Sequence, residues 1–334
     1  MSDHMKIAVL GAGAWGSALA VHFAARHEVT LWTRSETHAQ AMAAGHQNAR
    51  YLPGIGFPAD LRITHKLDEA IQHAELVLVA VPTGALRGLL KQLFEHGIRC
   101  PLIWVCKGFE EGTGKLPHEI VAETLPGIPS GVLSGPSFAI EVAKGLPSAM
   151  TLASHHPLLT GDIAHRLHGG TLRIYTSDDV VGIELGGAIK NVIAIAAGIS
   201  DGLGFGHNAR AALITRSLAE ITRLGLALGG HMETFMGLSG MGDLILTCTG
   251  DLSRNRQVGL RLAKGETLQD IIAGLGHVAE GVTTAPEVLR LAERHGVDMP
   301  ITRAVNRVLY EHVPPRQAVE ELLHRNQKAE DPRQ

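Results

Sequence analysis

Along the first half of the chain apolar residues come in short unbroken bursts; along the second half they recur at helical spacing. Residues 7–10, 29–32, 76–81 and 102–105 are such bursts, and each reads as a strand buried on both faces. Residues 132–133 and 149–152 continue the series. Between the bursts, residues 17–26, 67–72 and 84–94 read as helices, with Pro82 stopping the strand before the last of them. Alternation of this kind predicts an α/β fold, a doubly wound parallel sheet covered by helices on both faces. Residues 37–60, which include Tyr51-Leu52-Pro53-Gly54, read as a loop excursion from it. From about Asp178 the bursts largely stop, and residues 180–199 and 209–228 carry the helical period. Closing helices are expected at 287–294 and 305–309, and a frayed polar tail at 328–334. A chain of 334 residues is long for one domain. The change of pattern divides it into a sheet domain, 5–182, and an all-helical domain, 183–330.

The first burst runs into Gly11, Gly13 and Gly16, spaced G-x-G-x-x-G between a strand and a helix. In a dinucleotide site the first glycine permits a tight turn, the second lets a pyrophosphate approach the backbone, and the third lets helix and strand pack closely. The anion then rests on free N–H groups at the positive end of the helix. A strand–turn–helix without ligand is the plainer alternative. The second strand ends Thr33-Arg34-Ser35, where an NAD-selective site would place a carboxylate for the ribose hydroxyls. Arg34 would instead pair with a 2′-phosphate, so NADPH is favoured over NADH. Ligands of such sheets sit beyond the carboxyl ends of the strands, which puts Pro82–Thr83, Lys107–Gly108 and Gly135–Ser137 on one rim.

Bulk composition removes several classes. Hydrophobic content of 45% with 19% charged residues is ordinary for a soluble globular protein, and a net charge of −3 without a basic aromatic stripe gives no reason to expect nucleic acid. Three cysteines without a C-x-x-C pair suit reduced thiols in a cytoplasmic protein. No apolar run is expected to span a bilayer, because the best candidate, residues 185–199, is interrupted by Lys190 and Asn191. No secretory signal is visible. The nineteen histidines are scattered without metal-ligand spacing, so no metal is expected. Gly112-Thr113-Gly114-Lys115 lacks the first glycine and the closing Ser/Thr of a phosphate loop, and Gly237-Leu238-Ser239 lacks the closing glycine of a nucleophile elbow.

In the second half one lysine stands out. Lys190 lies inside Leu185–Ile195, an otherwise apolar helical stretch. It either snorkels its amine to solvent or presents a partly desolvated amine to a reacting group. Desolvation disfavours the ammonium form, and such an amine can exchange a proton with a substrate oxygen near neutral pH. Gly240-Met241-Gly242-Asp243 places a carboxylate in a small-residue turn, where capping is the plain alternative. Ser253 is a plausible N-cap for an amphipathic helix running to about Lys264. With Arg254 and Asn255 on its first turn it makes an anion site suited to a phosphate monoester. Gly276–Gly281 reads as a glycine-bounded loop.

Taken in order, GAGAWGSALA, NARYLPG, CKGFE, LSGPSFA, ELGGAIKNV, GLSGMGDL, SRNR and VAEGV resemble the bacterial NAD(P)-dependent glycerol-3-phosphate dehydrogenases over nearly the whole chain. The resemblance implies a Rossmann domain joined to a helical domain like the C-terminal one of 6-phosphogluconate dehydrogenase. It further implies a cytoplasmic homodimer that reversibly reduces dihydroxyacetone phosphate to sn-glycerol 3-phosphate for phospholipid synthesis, using NADPH/NADP or NADH/NAD. It makes Lys190 the general acid/base, and Lys107, Gly135, Ser137, Lys190, Asp243, Ser253, Arg254 and Asn255 substrate contacts. It makes Gly11, Gly13, Ala14, Trp15, Gly16, Arg34, Lys107, Ala139, Arg254, Val278 and Glu280 cofactor contacts. Ala14 departs from a serine frequent in the family, and a side-chain bond to the pyrophosphate is lost with it. Two rivals share the architecture. One is a hydroxy-acid dehydrogenase, which would favour a carboxylate over a phosphate; the other is a non-catalytic NAD(P)-binding sensor, which leaves Lys190, Asp243 and Arg254 without purpose.

Overall fold

The structure, a computed structural model, describes residues 4–275 and 279–324. It forms two compact units, one of Met1–Ala188 with Gly225–Leu246, the other of Ile189–Leu224 with Thr247–Gln334. The boundary between the first two segments falls inside one continuous helix, Val180–Gly202.

The first unit is built on an eight-stranded sheet. Its strands are β1 (Lys6–Leu10), β2 (Glu28–Trp32), β3 (Arg62–Thr64), β4 (Leu76–Val79), β5 (Leu102–Trp104), β6 (Ser130–Ser134), β7 (Ser148–Ala153) and β8 (Leu172–Ser177). Their order is β3-β2-β1-β4-β5-β6-β7-β8, so the direction of winding reverses between β1 and β4. That reversal opens a crevice at the carboxyl ends of β1 and β4. Successive residues of a strand face opposite sides. Ile7, Val9 and Ile103 accordingly join one apolar layer, while Ala8, Leu10, Val77, Val79 and Trp104 join the other. Both layers are buried, which is why the strands read as unbroken apolar bursts rather than alternating ones.

Several expectations are corrected. The sheet is not wholly parallel: β6 and β7 run antiparallel, although β7 and β8 are parallel to each other. A strand buried on both faces has the same apolar pattern in either direction, so the sequence carried no sign of the reversal. Strands β3 and β8 were missed because they are half-exposed edge strands, not apolar bursts. Residues 37–60 are not all loop: a helix, Glu36–Gly45, runs into them, started by Ser35, whose side chain accepts from the His38 N–H, and ended by His46 in the left-handed region at φ 45°. The helix after the glycine motif begins at Ala14, not at 17, with Gly13 as its N-cap.

Asp243 does not sit in an open turn. A π-helical turn, Leu238–Gly242, leads into the helix Asp243–Thr249. Of the loop expected at 276–281, residues 276–278 lie outside the described ones, and Glu280 and Gly281 already belong to the helix Glu280–Arg294. The tail expected at 328–334 also lies outside them. Val180–Gly202, at 23 residues with a window of mean hydropathy 1.6, is long and apolar enough to cross a membrane by length and composition, contrary to expectation. That window is 89% buried in the protein, the signature of a core helix.

The second unit is helical. Val192, Ile195 and Ile199 of the long helix pack with Val258, Leu262, Ile271, Val282, Ala285 and Val305. Two glycines bring its helices close. A Cβ on Gly198 would lie 2.0 Å from the Arg256 carbonyl oxygen, and one on Gly259 would lie 2.0 Å from that of Ile195.

Candidate active site

In the first unit the glycine turn is closed beneath and open above. Gly11 has φ +121°, and a Cβ there would come within 2.6 Å of the Ala80 carbonyl oxygen; a Cβ on Gly16 would come within 1.9 Å of the Gly11 carbonyl oxygen. A Cβ on Gly13 would meet nothing within 4 Å. The first N–H groups of the Ala14–Ala24 helix have no acceptor within the helix. Tight packing below, open space at Gly13 and unpaired donors at a helix start together fit the pyrophosphate of a dinucleotide. Ala14 offers only its backbone there. Trp15 and Ala139 pack against one small cluster of Ala18, Leu52 and Ile55 beside the turn. Arg34 follows the end of β2, exposed and without an ion pair among the described residues.

One residue here was not singled out from sequence. Asn48, fully buried, donates through Nδ2 to the Ala12 carbonyl oxygen at 2.9 Å and to Ser17 Oγ at 2.8 Å. Its Oδ1 accepts from the Tyr51 N–H at 3.2 Å and lies 3.1 Å from His38 Nε2, which must therefore carry a proton. All four positions of the amide are used, and the excursion is thereby tied to the glycine turn. The only sequence signal was its place in the NARYLPG block.

Beyond β5, Lys107 donates from Nζ to Asp243 Oδ2 at 2.6 Å and reaches the Gly135 carbonyl oxygen at 3.4 Å. The side chains are 15% and 1% exposed, so this is a largely desolvated charge pair with one ammonium edge accessible. Ser137 Oγ donates to the same Gly135 oxygen at 3.2 Å. Gly135 has φ +153°, and a Cβ there would sit 2.9 Å from the Ala149 carbonyl oxygen, so β7 demands glycine at that point. The structure thus brings Lys107, Gly135, Ser137 and Asp243 together.

In the second unit Lys190 is 7% exposed and donates from Nζ to Thr247 Oγ1 at 2.9 Å. The snorkelling alternative is overturned, since the amine is buried. Thr247 was missed from sequence; it sits four residues after Asp243 on the helix Asp243–Thr249, a spacing that could have flagged it. Ser253 caps the Arg254–Ala263 helix as expected, its Oγ accepting from the Arg256 N–H at 3.2 Å. Asn255 donates to Asn191 Oδ1 at 3.0 Å and accepts from the Gly281 N–H at 3.0 Å, while Asn191 Nδ2 reaches Glu280 Oε2 at 3.5 Å. Asn255, Glu280 and Gly281 thus meet around Asn191, the residue that follows Lys190 in the chain. Arg254 is exposed at the helix start and makes no ion pair among the described residues. Arg256, also missed from sequence, anchors this turn: its Nε and Nη2 bond Asp201 Oδ2 at 3.0 and 2.7 Å, and its Nη1 bonds Asp251 at 2.9 Å. Val278 lies outside the described residues.

Known proteins match the chain along nearly its whole length. Residues 6–159 match the family profile described as NAD-dependent glycerol-3-phosphate dehydrogenase N-terminus, and residues 179–320 match its C-terminus. The glycerol-3-phosphate dehydrogenase (NAD(P)+) of Thiobacillus denitrificans is 59% identical over 327 residues, spanning 98% of this chain and 100% of that protein. That of Nitrosospira multiformis is 57% identical over 98% of this chain and 99% of that one. The crystal structure of glycerol-3-phosphate dehydrogenase from Coxiella burnetii superposes with a TM-score of 0.93 at 42% identity, over 97% of this chain and 100% of that one. Matched in order through both halves, the chain belongs to the NAD-dependent glycerol-3-phosphate dehydrogenase family.

Proposed function

We propose that this chain catalyses the reversible reduction of dihydroxyacetone phosphate to sn-glycerol 3-phosphate, with Lys190 as general acid/base. A bound nicotinamide cofactor supplies or accepts the hydride at the substrate's C2. The backbone of Gly11–Gly16 holds the pyrophosphate, with Trp15, Arg34, Lys107, Ala139, Arg254, Val278 and Glu280 as further cofactor contacts. Arg254, Ser253, Asn255 and the free N–H groups of the Arg254 helix take the substrate phosphate. Binding energy from that remote phosphate is then available to orient the carbonyl. Lys107, with its charge balanced by Asp243, bonds the substrate oxygens beside Gly135 and Ser137 and stabilises charge building on the C2 oxygen. Lys190 donates the proton that this oxygen takes up, and withdraws it in the reverse direction.

The observation that carries the reading is the Lys190 side chain itself, 7% exposed on a core helix and donating from Nζ to Thr247 Oγ1 at 2.9 Å: an amine withdrawn from bulk water and held in place is suited to exchange a proton with a substrate oxygen. The exposed Arg34 at the β2 tip favours NADPH over NADH. A cytoplasmic homodimer that supplies phospholipid synthesis completes the proposal. The test is cofactor absorbance with dihydroxyacetone phosphate, run with NADPH and NADH in parallel, beside a 2-keto acid. Oxidation with the phosphorylated triose alone supports the reading, oxidation with the keto acid alone moves the chain to the rival dehydrogenase, and none with either leaves the sensor. Arg34→Glu should shift the preference toward NADH; an unchanged preference removes Arg34 from the site.

A further inference from the structure

A buried carboxylate outside the described site grips the strand that delivers Lys107. Glu184, on the long helix Val180–Gly202, has a side chain only 2% exposed. Its Oε1 accepts from Trp104 Nε1 at 2.8 Å and from the His118 backbone N–H at 2.9 Å, and its Oε2 is hydrogen-bonded to His118 Nδ1. Trp104 closes β5, and Lys107 follows three residues later. Gly187 follows Glu184 by three residues, just under one helical turn.

At that level helix and lysine touch again. A Cβ built on Gly187 would lie 3.4 Å from both Cγ and Cδ of Lys107 and 3.1 Å from Ser134 Oγ; one on Gly186 would lie 2.5 Å from the Ser239 carbonyl oxygen. The Lys107 stem therefore rests across the bare backbone at Gly187 on its way to Asp243. A shift of the helix along β5 by a fraction of a turn would put a side chain under that stem.

We propose that Glu184 is a positioning residue for Lys107: by holding Trp104 and His118 it fixes the register of the helix on β5, keeps Gly187 beneath the lysine stem, and so aims the ammonium at Asp243 and Gly135. The inference rests on the proposed role of Lys107 in holding substrate. The groups facing His118 are the carboxylates of Glu184 and of Glu119 on its own helix. Burial lowers the His118 pKa, but the bond to Glu184 and its charge outweigh this and raise it, while burial pushes Glu184 up. A glutamine at 184 can keep three bonds only while His118 is neutral, its amide donating to Nδ1; a protonated ring would set donor against donor.

The test compares wild type, Glu184→Gln and Glu184→Leu. Glu184→Gln should stay within threefold of wild type at pH 8, with the KM for NADPH steady throughout. Its KM for dihydroxyacetone phosphate should then rise at least tenfold as pH falls through the titration of His118 in that variant, which lies lower than in wild type because the raising carboxylate is gone and the burial remains. Glu184→Leu should raise that KM at least tenfold at every pH. A fold-only role would move stability without this pH-dependent split. Crystal structures of both variants at pH 8 add a readout independent of turnover, with Lys107 Nζ on Asp243 in Glu184→Gln and withdrawn from it in Glu184→Leu. A wild-type pH profile in Glu184→Gln, or an unmoved Lys107 in Glu184→Leu, overturns the inference. If Glu184→Leu fails to fold, the glutamine profile decides alone. Inactivity of wild type on dihydroxyacetone phosphate would count against the proposed function, and the crystal structures would still judge the position of Lys107.

Discussion

Lys107 and Asp243 meet at 2.6 Å although 136 residues separate them, the carboxylate almost wholly buried and the amine only slightly exposed. Removing one member of such a pair leaves the other charged and desolvated. Asp243→Ala should therefore cost about 3–5 kcal/mol of stability. The double variant Lys107→Met with Asp243→Leu should recover much of that loss while leaving turnover low, because packing is restored and the charge is not. Denaturant unfolding and steady-state kinetics on the same preparations check both halves; recovery of activity in the double variant contradicts the role given to Lys107.

Asn48 holds the underside of the glycine turn through the Ala12 carbonyl oxygen and Ser17. Asn48→Leu strands those two groups, at a cost of about 1–3 kcal/mol each if they stay unpaired. The expected signature is a raised cofactor KM with an unchanged KM for the phosphorylated substrate. An equal rise in both would mean general loosening of the fold.

The Arg254 helix start is assigned to the substrate phosphate as well as to the cofactor, and at saturating cofactor the phosphate contact can be read by itself. Arg254→Ala should raise the KM for dihydroxyacetone phosphate by about 10- to 100-fold, the worth of a charge-assisted bond of 1.5–3 kcal/mol. Dihydroxyacetone without the phosphate should lose little more in the variant than in wild type. An equal loss on both substrates would place Arg254 elsewhere.

Glu220 supplies a pH test of stability away from the site. It is 2% exposed and accepts from the Ile301 N–H at 2.7 Å and the Thr302 N–H at 3.3 Å, at the start of the Pro300–Tyr310 helix. Burial, outweighing these bonds, raises its pKa to about 7 from an ordinary 4.5. A folded value above the unfolded one gives stability that is full below pH 4.5 and is lost as pH rises through about 7. Between pH 4.5 and 8 wild type should lose about 3 kcal/mol relative to Glu220→Gln. Parallel urea-unfolding profiles for the two proteins across that range would contradict the assignment.

What the sequence made legible follows from where its signals are local. The glycine spacing, the Ser253 cap and the apolar bursts of β1, β4 and β5 each lie within a few residues, and the structure has them nearly where the pattern puts them. The β6–β7 reversal was hidden because a strand buried on both faces carries no mark of direction. Thr247 and Asn48 were hidden for another reason. Neither residue type is unusual where it stands, and their importance arises from partners 57 and 36 residues away. Lys190 was legible because a lysine in an apolar helix is an anomaly in sequence before it is a contact in space.

Turnover of Lys190→Ala with dihydroxyacetone phosphate and NADPH tests the central claim most directly. The variant should bind cofactor normally and lose two to four powers of ten in kcat, about the contribution of a positioned acid/base. A kcat within threefold of wild type would contradict it.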